Sequence, residues 1–261
     1  MKKILFSALK ILGVWAFWIA IWWIVAEAVD LSLLLPSPAQ TLVAAGELLS
    51  TALFWEHLLL SLLRVLAGIL ISLVIGTLLA VLTSKIKLAR TLITPLIHMI
   101  KSIPVASFIV LACLWMNSAS LPVLITSLIV IPIVWSNLSL GIESVDKELV
   151  QVATVFGFSP IKRLTRLYIP TVFPHFLASC RSSIGMAWKA GIAAEILAPP
   201  LIGIGKAMYI AKTNLESAPL FAWTLVIVLV SFITEKLLML ALKKLATALR
   251  WRKGGAKDAL T

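Results

Sequence analysis

Leu58-Leu-Leu-Ser61-Leu-Leu-Arg64-Val-Leu-Ala-Gly68-Ile-Leu-Ile-Ser72-Leu-Val-Ile-Gly76-Thr-Leu-Leu-Ala-Val-Leu-Thr83 is an apolar run broken by a single charge. A helix rises about 1.5 Å per residue and needs about 20 mostly apolar residues to cross the hydrocarbon of a bilayer. The run exceeds that length. Its small residues, Gly68, Ser72 and Gly76, recur every four positions, a spacing suited to close helix packing in lipid. A membrane β-barrel would show short segments alternating apolar and polar residues, a pattern foreign to this run.

Five further runs flank it, at 11–29, 92–116, 121–141, 172–197 and 219–242. The expected fold is therefore all-α, a polytopic membrane helix bundle of about six transmembrane helices. Composition agrees: 61% of residues are apolar and 13% charged, and the mean hydropathy is +1.07. Soluble domains carry about a quarter charged residues, so this chain has too little polar surface to be one.

The net charge of +12 would suggest nucleic acid in a soluble protein. Its placement argues otherwise. With the N-terminus inside, most of the 23 basic residues fall on one side: Lys2, Lys3, Lys10; Lys85, Lys87, Arg90; Lys147, Lys162, Arg163, Arg166; then Lys243, Lys244, Arg250, Arg252, Lys253 and Lys257. The opposite loops hold only Lys206 and Lys212, and segment 30–56 carries Asp30, Glu47 and Glu56 without a base. This is the positive-inside pattern, with both termini cytoplasmic and a lipid bilayer rather than nucleic acid as partner. The first run is expected to be a retained helix, because it is longer than a leader's apolar core and lacks a clear small-residue cleavage site. Three units follow: residues 1–56, an N-terminal span with an outer connecting segment; residues 57–245, the membrane domain; and a basic cytoplasmic tail, 246–261. Residues 39–54 suit either a short interfacial helix or a plain loop.

The segment 146–170 differs from the other connections. It reads as a helix from about Asp146 to Phe156 that stops at Gly157, a residue free to take left-handed backbone geometry. Ser159 can cap a second helix with Pro160 at its first position. In that helix Ile161, Leu164 and Tyr168 share one face, and Lys162, Arg163 and Arg166 point elsewhere. Such a basic, amphipathic hairpin would offer apolar knobs to a partner's groove or rest on lipid headgroups.

Within Gln151-Val-Ala153-Thr-Val-Phe-Gly157 and the later Ile169-Pro170, the segment resembles the "EAA" loop of ABC importer permeases. Gly157 and Pro170 match that pattern in identity and spacing, Ala153 matches its second Ala, and Ile169 fills its Leu position; Gln151 replaces the Glu and Val152 the first Ala. The resemblance to nitrate-, sulfonate- and taurine-type permeases extends from about Leu35 to Trp251. It runs through Leu35-Pro-Ser-Pro38, Ser61–Gly68, Ile103-Pro104, Leu114-Trp115, Gly141–Asp146, Arg181, Ala187-Trp188-Lys189, Ala194-Glu195 and Gly203-Ile-Gly205. One departure is Met116-Asn117-Ser-Ala-Ser, where the family has Phe-Gly and a polar turn.

The resemblance implies a type I ABC importer permease fold, a homodimer, and an extracytoplasmic solute-binding protein. It also implies separate ABC ATPase subunits, which bind the ATP and Mg that this chain does not. The ATPase-coupling residues would be Gln151, Ala153, Gly157, Phe158, Ser159, Pro160, Ile161, Leu164 and Pro170. It implies a bacterial inner-membrane location and a small anion as substrate (nitrate, sulfonate, taurine or bicarbonate), or else a pyrimidine or vitamin-like compound. A stand-alone secondary transporter is the alternative, and a membrane-embedded enzyme lacks any visible catalytic constellation.

Charges inside a membrane cost about 2.5–3.5 kcal/mol each on insertion scales, so those retained usually face a bundle interior or a wet cavity. Arg64, near an outer end, is expected to snorkel. Lys101 and Arg181 lie at matching depths and would line one level of a translocation pathway. Lys189 is nearest the middle of its run, and Glu195 follows about 240° around the helix, so the two cannot pair with each other. For each, an inter-helix ion pair and a transport role both remain open. Gly203-Ile-Gly205-Lys206 is not a phosphate loop, because Pro200 and Ala207 stand where Gly and Ser or Thr are required.

Overall fold

The computed structural model describes residues 2–248; the tail beyond 248 lies outside the described residues. Within them the chain is helical without a strand: α1 (Lys2–Val29), α2 (Pro38–Leu49), α3 (Ala52–Lys85), α4 (Lys87–Ser102), α5 (Val105–Ala112), α6 (Leu121–Glu143), α7 (Lys147–Val155), α8 (Pro160–Arg163), α9 (Ile169–Leu197), α10 (Ile204–Thr213) and α11 (Ser217–Ala248). A π turn, Leu164–Tyr168, joins α8 to α9.

Packing of α3 parallel to α6, with α9 running antiparallel to both, makes the core, and small residues set its spacing. A Cβ on Gly68 would fall 2.6 Å from Thr126 Cβ, and one on Gly76 2.7 Å from Val134 Cβ, so both glycines bring the α3 backbone against α6. Ser127 and Ser72 hydroxyls reinforce this seam by donating across it, to Gly68 O (3.3 Å) and Ser127 O (3.3 Å). In lipid there is no hydrophobic force between helices, so such close approach and interhelical bonding carry the association. Val65, Ile69, Val130, Val134, Ile184 and Trp188 fill the buried centre.

Among the described residues four helices, α1, α3, α6 and α11, are long and apolar enough to cross a membrane. The expected run 92–116 is not one straight span: α4 and α5 meet at an angle of 101° at Ile103-Pro104, and the bent pair would count as a fifth span. Pro104 supplies no amide and its ring disfavours helical geometry at Ile103, so the helix must stop there. The expected run 172–197 is α9, whose 29 residues are long enough to span. Its charges and serines lower its hydropathy, which its central position makes tolerable. Segment 39–54 resolves in favour of helix: Ser37 caps α2 with a reciprocal Gln40 bond and Pro38 opens the first turn.

Candidate functional site

Local chemistry builds the 146–170 loop. Asp146 Oδ1 accepts from the amides of Glu148 (2.8 Å) and Leu149 (3.4 Å) and starts α7. At the other end Gly157 takes φ +68°, its amide donates to Thr154 O (3.0 Å), and the Phe158 amide donates to Ala153 O (2.9 Å). That pair of bonds is a Schellman stop, which needs the left-handed residue. Ser159 Oγ then accepts from the Lys162 amide (3.3 Å), with Pro160 in the first turn. Across the hairpin, Arg163 Nη1 donates to Thr154 Oγ1 (3.0 Å), and Lys162 Nζ lies 4.1 Å from the Phe158 ring centroid.

The second loop helix does not end before the next span. Pro160 to Leu197 is continuous, through the π turn into α9. Pro170 explains the wide turn: it has no amide for the preceding turn, Ile169 N–H instead reaches Leu164 O, and Thr171 Oγ1 donates to Leu167 O (2.9 Å). Ile161, Leu164 and Tyr168 do share a face and line a groove with α3, α6 and the start of α9, while Ile161 and Leu164 stay open to the outside. The barest apolar side chains of the loop are Val155 (85% exposed), Phe156 (76%) and Ile161 (74%). Gln151 is exposed and Ala153 buried.

At the opposite end of the bundle a polar knot ties α3, α9 and the start of α10. Glu195 is 1% exposed. Arg64 Nη1 donates to its Oε1 (2.8 Å), while the Ser61 hydroxyl (2.6 Å) and the Gly205 amide (2.9 Å) donate to Oε2. Arg64 also donates to Ile202 O (2.8 Å), so it does not snorkel to the interface as expected but joins a buried pair. Ser61 Oγ accepts from the Ile204 amide (2.7 Å), and His57 Nδ1 from the Gly203 amide (2.8 Å). The carboxylate thus caps α10's first turn, where orphan amides and the helix dipole favour negative charge. Gly203 and Gly205 are needed for close approach: side chains there would run into Glu195 itself.

Lys101, Arg181 and Lys189 lie apart from this knot. Lys101 Nζ donates to Ser136 Oγ (2.7 Å). Gly141 packs on His175 and Gly191 on Thr126, a register that sets Ser136 level with Arg181, so Lys101 and Arg181 share a depth. Arg181 Nε pairs with Glu235 of α11 at 3.2 Å. Lys189 has no ion-pair or hydrogen-bond partner among the described residues. On α9 the exposed positions Ala178, Arg181, Ser182, Gly185, Met186 and Lys189 form one stripe at three- and four-residue spacing.

Sequence reasoning missed three of these residues. Glu235 lay unremarked inside the run 219–242, although any carboxylate within such a run is a signal. Nothing in the sequence pointed to the partners of Ser61 and His57, which lie more than 130 residues away in the chain.

Comparison with known proteins places these features in a family. The profile described as "Binding-protein-dependent transport system inner membrane component" matches residues 72–245. The putative aliphatic sulfonates transport permease protein of Bacillus subtilis (strain 168) is 26% identical over 236 residues, covering 90% of this chain and 84% of that one. The taurine transport system permease protein of Escherichia coli (strain K12) is 26% identical over 232 residues, covering 86% and 84%. A crystal structure of an amino acid ABC transporter has the same fold, with a TM-score of 0.55 at 18% identity over 77% of this chain and 94% of that one.

Proposed function

The chain belongs to the family of binding-protein-dependent transport system inner membrane components, and we propose that two copies of it form the translocation pathway of an ATP-driven importer for a small anion. As an ABC permease it is a non-catalytic, multi-pass membrane subunit that works with ATPase subunits. In the proposed assembly both termini and the 146–170 loop face the cytoplasm, and the loop docks on an ATPase that holds ATP and Mg. An extracytoplasmic solute-binding protein delivers the substrate to the other side.

The observation that carries this is the continuity of Pro160–Leu197. One helical body runs from the loop tip through the bundle, bearing Arg181 and Lys189 on its bare stripe. A push on the loop therefore has a direct mechanical route to the stripe. ATP binds one arrangement of the ATPase pair better than the other, and that difference in affinity is what shifts the permease between inward- and outward-open states.

Sulfonate is the reading for substrate class supported by the cations of the stripe and by the sulfonate and taurine relatives. In this reading Lys101, Arg181 and Lys189 line the pathway, and Glu195 holds its outer end in shape. Val155, Phe156 and the Gly157 turn make the apolar contact with the ATPase, with Gln151, Phe158, Ser159, Pro160, Ile161 and Leu164 fixing the hairpin.

Gly157→Val is the test. No atom lies within 4 Å of a Cβ at this position, so the substitution acts through backbone strain alone. A side chain in left-handed geometry costs about 1–2 kcal/mol, and more when β-branched, so the turn is expected to rearrange. The variant, assembled with its ATPase in vesicles, should insert normally but lose substrate-stimulated ATP hydrolysis and uptake. Wild-type coupling in that variant would rule the proposed contact out.

A further inference from the structure

A groove of about 700 Å³ opens at the loop end of the bundle, between the last turns of α3, the base of α6, the loop hairpin and the first turns of α9. That volume is typical of a small-molecule site. Its walls are apolar, with Val81, Leu138, Ile142, Leu164, Val172 and Phe176 among them. Two of its hydroxyls are already used by their own helix: Thr77 Oγ1 donates to Leu73 O and Ser84 Oγ to Val81 O. Apart from these and the Tyr168 hydroxyl the side chains lining the depth are hydrocarbon, so a mostly apolar occupant suits it best.

The mouth is different. Its charged lining residues are Lys85 and Arg163, and neither has a carboxylate partner among the described residues. Arg163 spends one nitrogen on Thr154 and keeps other donors free. Lys85 ends α3, the most apolar span, so it stands where hydrocarbon gives way to headgroups. From Thr77 to Lys85 the groove rises about 12 Å into the apolar layer. An apolar slot at bilayer depth, opening between two uncompensated cations at headgroup level, has the charge and polarity pattern of one kind of ligand.

We propose that this groove binds an anionic phospholipid, with an acyl chain along Val81, Ile142 and Val172 and the phosphate between Lys85 and Arg163. The site lies outside the pathway stripe, and only the naming of its leaflet as cytoplasmic rests on the importer reading. Because Lys85 belongs to α3 and Arg163 to the loop hairpin, a bound phosphate ties the hairpin to the membrane domain. Lipid composition then acts on coupling itself.

The test uses the full chain assembled with its ATPase, stripped of lipid in detergent and titrated with phosphatidylglycerol or phosphatidylcholine of matched chains under native mass spectrometry. Wild type should prefer phosphatidylglycerol by on the order of tenfold, since each cation near a membrane surface contributes about a fivefold gain for anionic lipid. Lys85→Glu should erase that preference, and Val81→Trp should weaken both lipids by filling the slot. Should Val81→Trp disturb assembly, judged by loss of a single elution peak, Lys85→Glu carries the test alone, being an exposed residue at a helix end. Equal affinity of wild type for both lipids, or an unchanged preference in Lys85→Glu, overturns the proposal. So does lipid binding to the isolated chain that vanishes in the assembled transporter, which would make the ATPase the groove's occupant.

Discussion

Glu195→Gln isolates the feature that lets a polar helix run through the middle of this bundle. The carboxylate accepts three hydrogen bonds, from Arg64 Nη1 at 2.8 Å, Ser61 Oγ at 2.6 Å and the Gly205 amide at 2.9 Å. A glutamine has one acceptor oxygen and two donors. If that oxygen stays with Ser61 and Gly205, the new NH2 group faces the guanidinium; if it turns to Arg64, the NH2 group faces two donors. Either way a donor meets a donor in a site that is 1% exposed. Removing one partner of a buried ion pair costs about 3–5 kcal/mol, because the other charge stays buried without compensation. The lower end applies here, since Arg64 keeps its bond to Ile202 O and is partly exposed. About 3 kcal/mol is expected, concentrated where the knot holds α10. Amide hydrogen exchange in the reconstituted full chain reads it directly: protection of Ile204 and Gly205 should fall about 100-fold, at 1.4 kcal/mol per decade. Arg64→Met should cost less, because the carboxylate keeps its Ser61 and Gly205 donors, and the double variant should cost less than the sum by more than 1 kcal/mol. If Glu195→Gln keeps Gly205 protection within threefold of wild type, or if the two changes add, the knot is not what fixes this end of the molecule.

Two other substitutions separate packing from pathway. Gly76→Ala puts a methyl 2.7 Å from Val134 Cβ and should lower resistance to denaturant in mixed micelles by about 1–3 kcal/mol, whereas Gly46→Ala, with open space around it, should be neutral; equal midpoints for the two would contradict the close α3–α6 seam. Lys189→Ala should abolish anion uptake in vesicles while the complex with the ATPase elutes unchanged, and uptake at the wild-type rate would remove Lys189 from the pathway.

Features set within a few residues were readable in the sequence. The Asp146 cap, the Gly157 stop and the Ser159-Pro160 start all depend on neighbours two to five positions away, and each formed where the residue types demanded it. Run length likewise revealed a membrane bundle without reference to any contact. Features that depend on tertiary placement were not readable. Helical periodicity grouped Ile161, Leu164 and Tyr168 correctly but could not tell that their face borders a groove of the bundle. Run length concealed the bend at Ile103-Pro104, because a sum over 92–116 does not register one missing amide. It concealed Glu235 for the same reason: one carboxylate barely changes the average of a long apolar window. Arg64 near a span's end looked free to snorkel because its partner stands on another helix, far along the chain.

α9 brings these strands together, because a hydropathy criterion alone would discard it as a span. Its polar residues sort by face. Glu195 is buried against α3 and α10 and is satisfied there by three donors. Arg181 and Lys189 stay on the bare stripe, with a carboxylate on α11 for the first and none for the second among the described residues. A lone ammonium at that depth would not be retained against lipid, so the stripe needs a wet or charged neighbour that one copy of the chain does not provide. In the proposed assembly a second copy facing the stripe, with an anion path between the two, would meet that need, and the same helix would carry the movement of the loop to it. On that proposal, the polarity that makes α9 look unlike a membrane helix is what would equip it to be the working one.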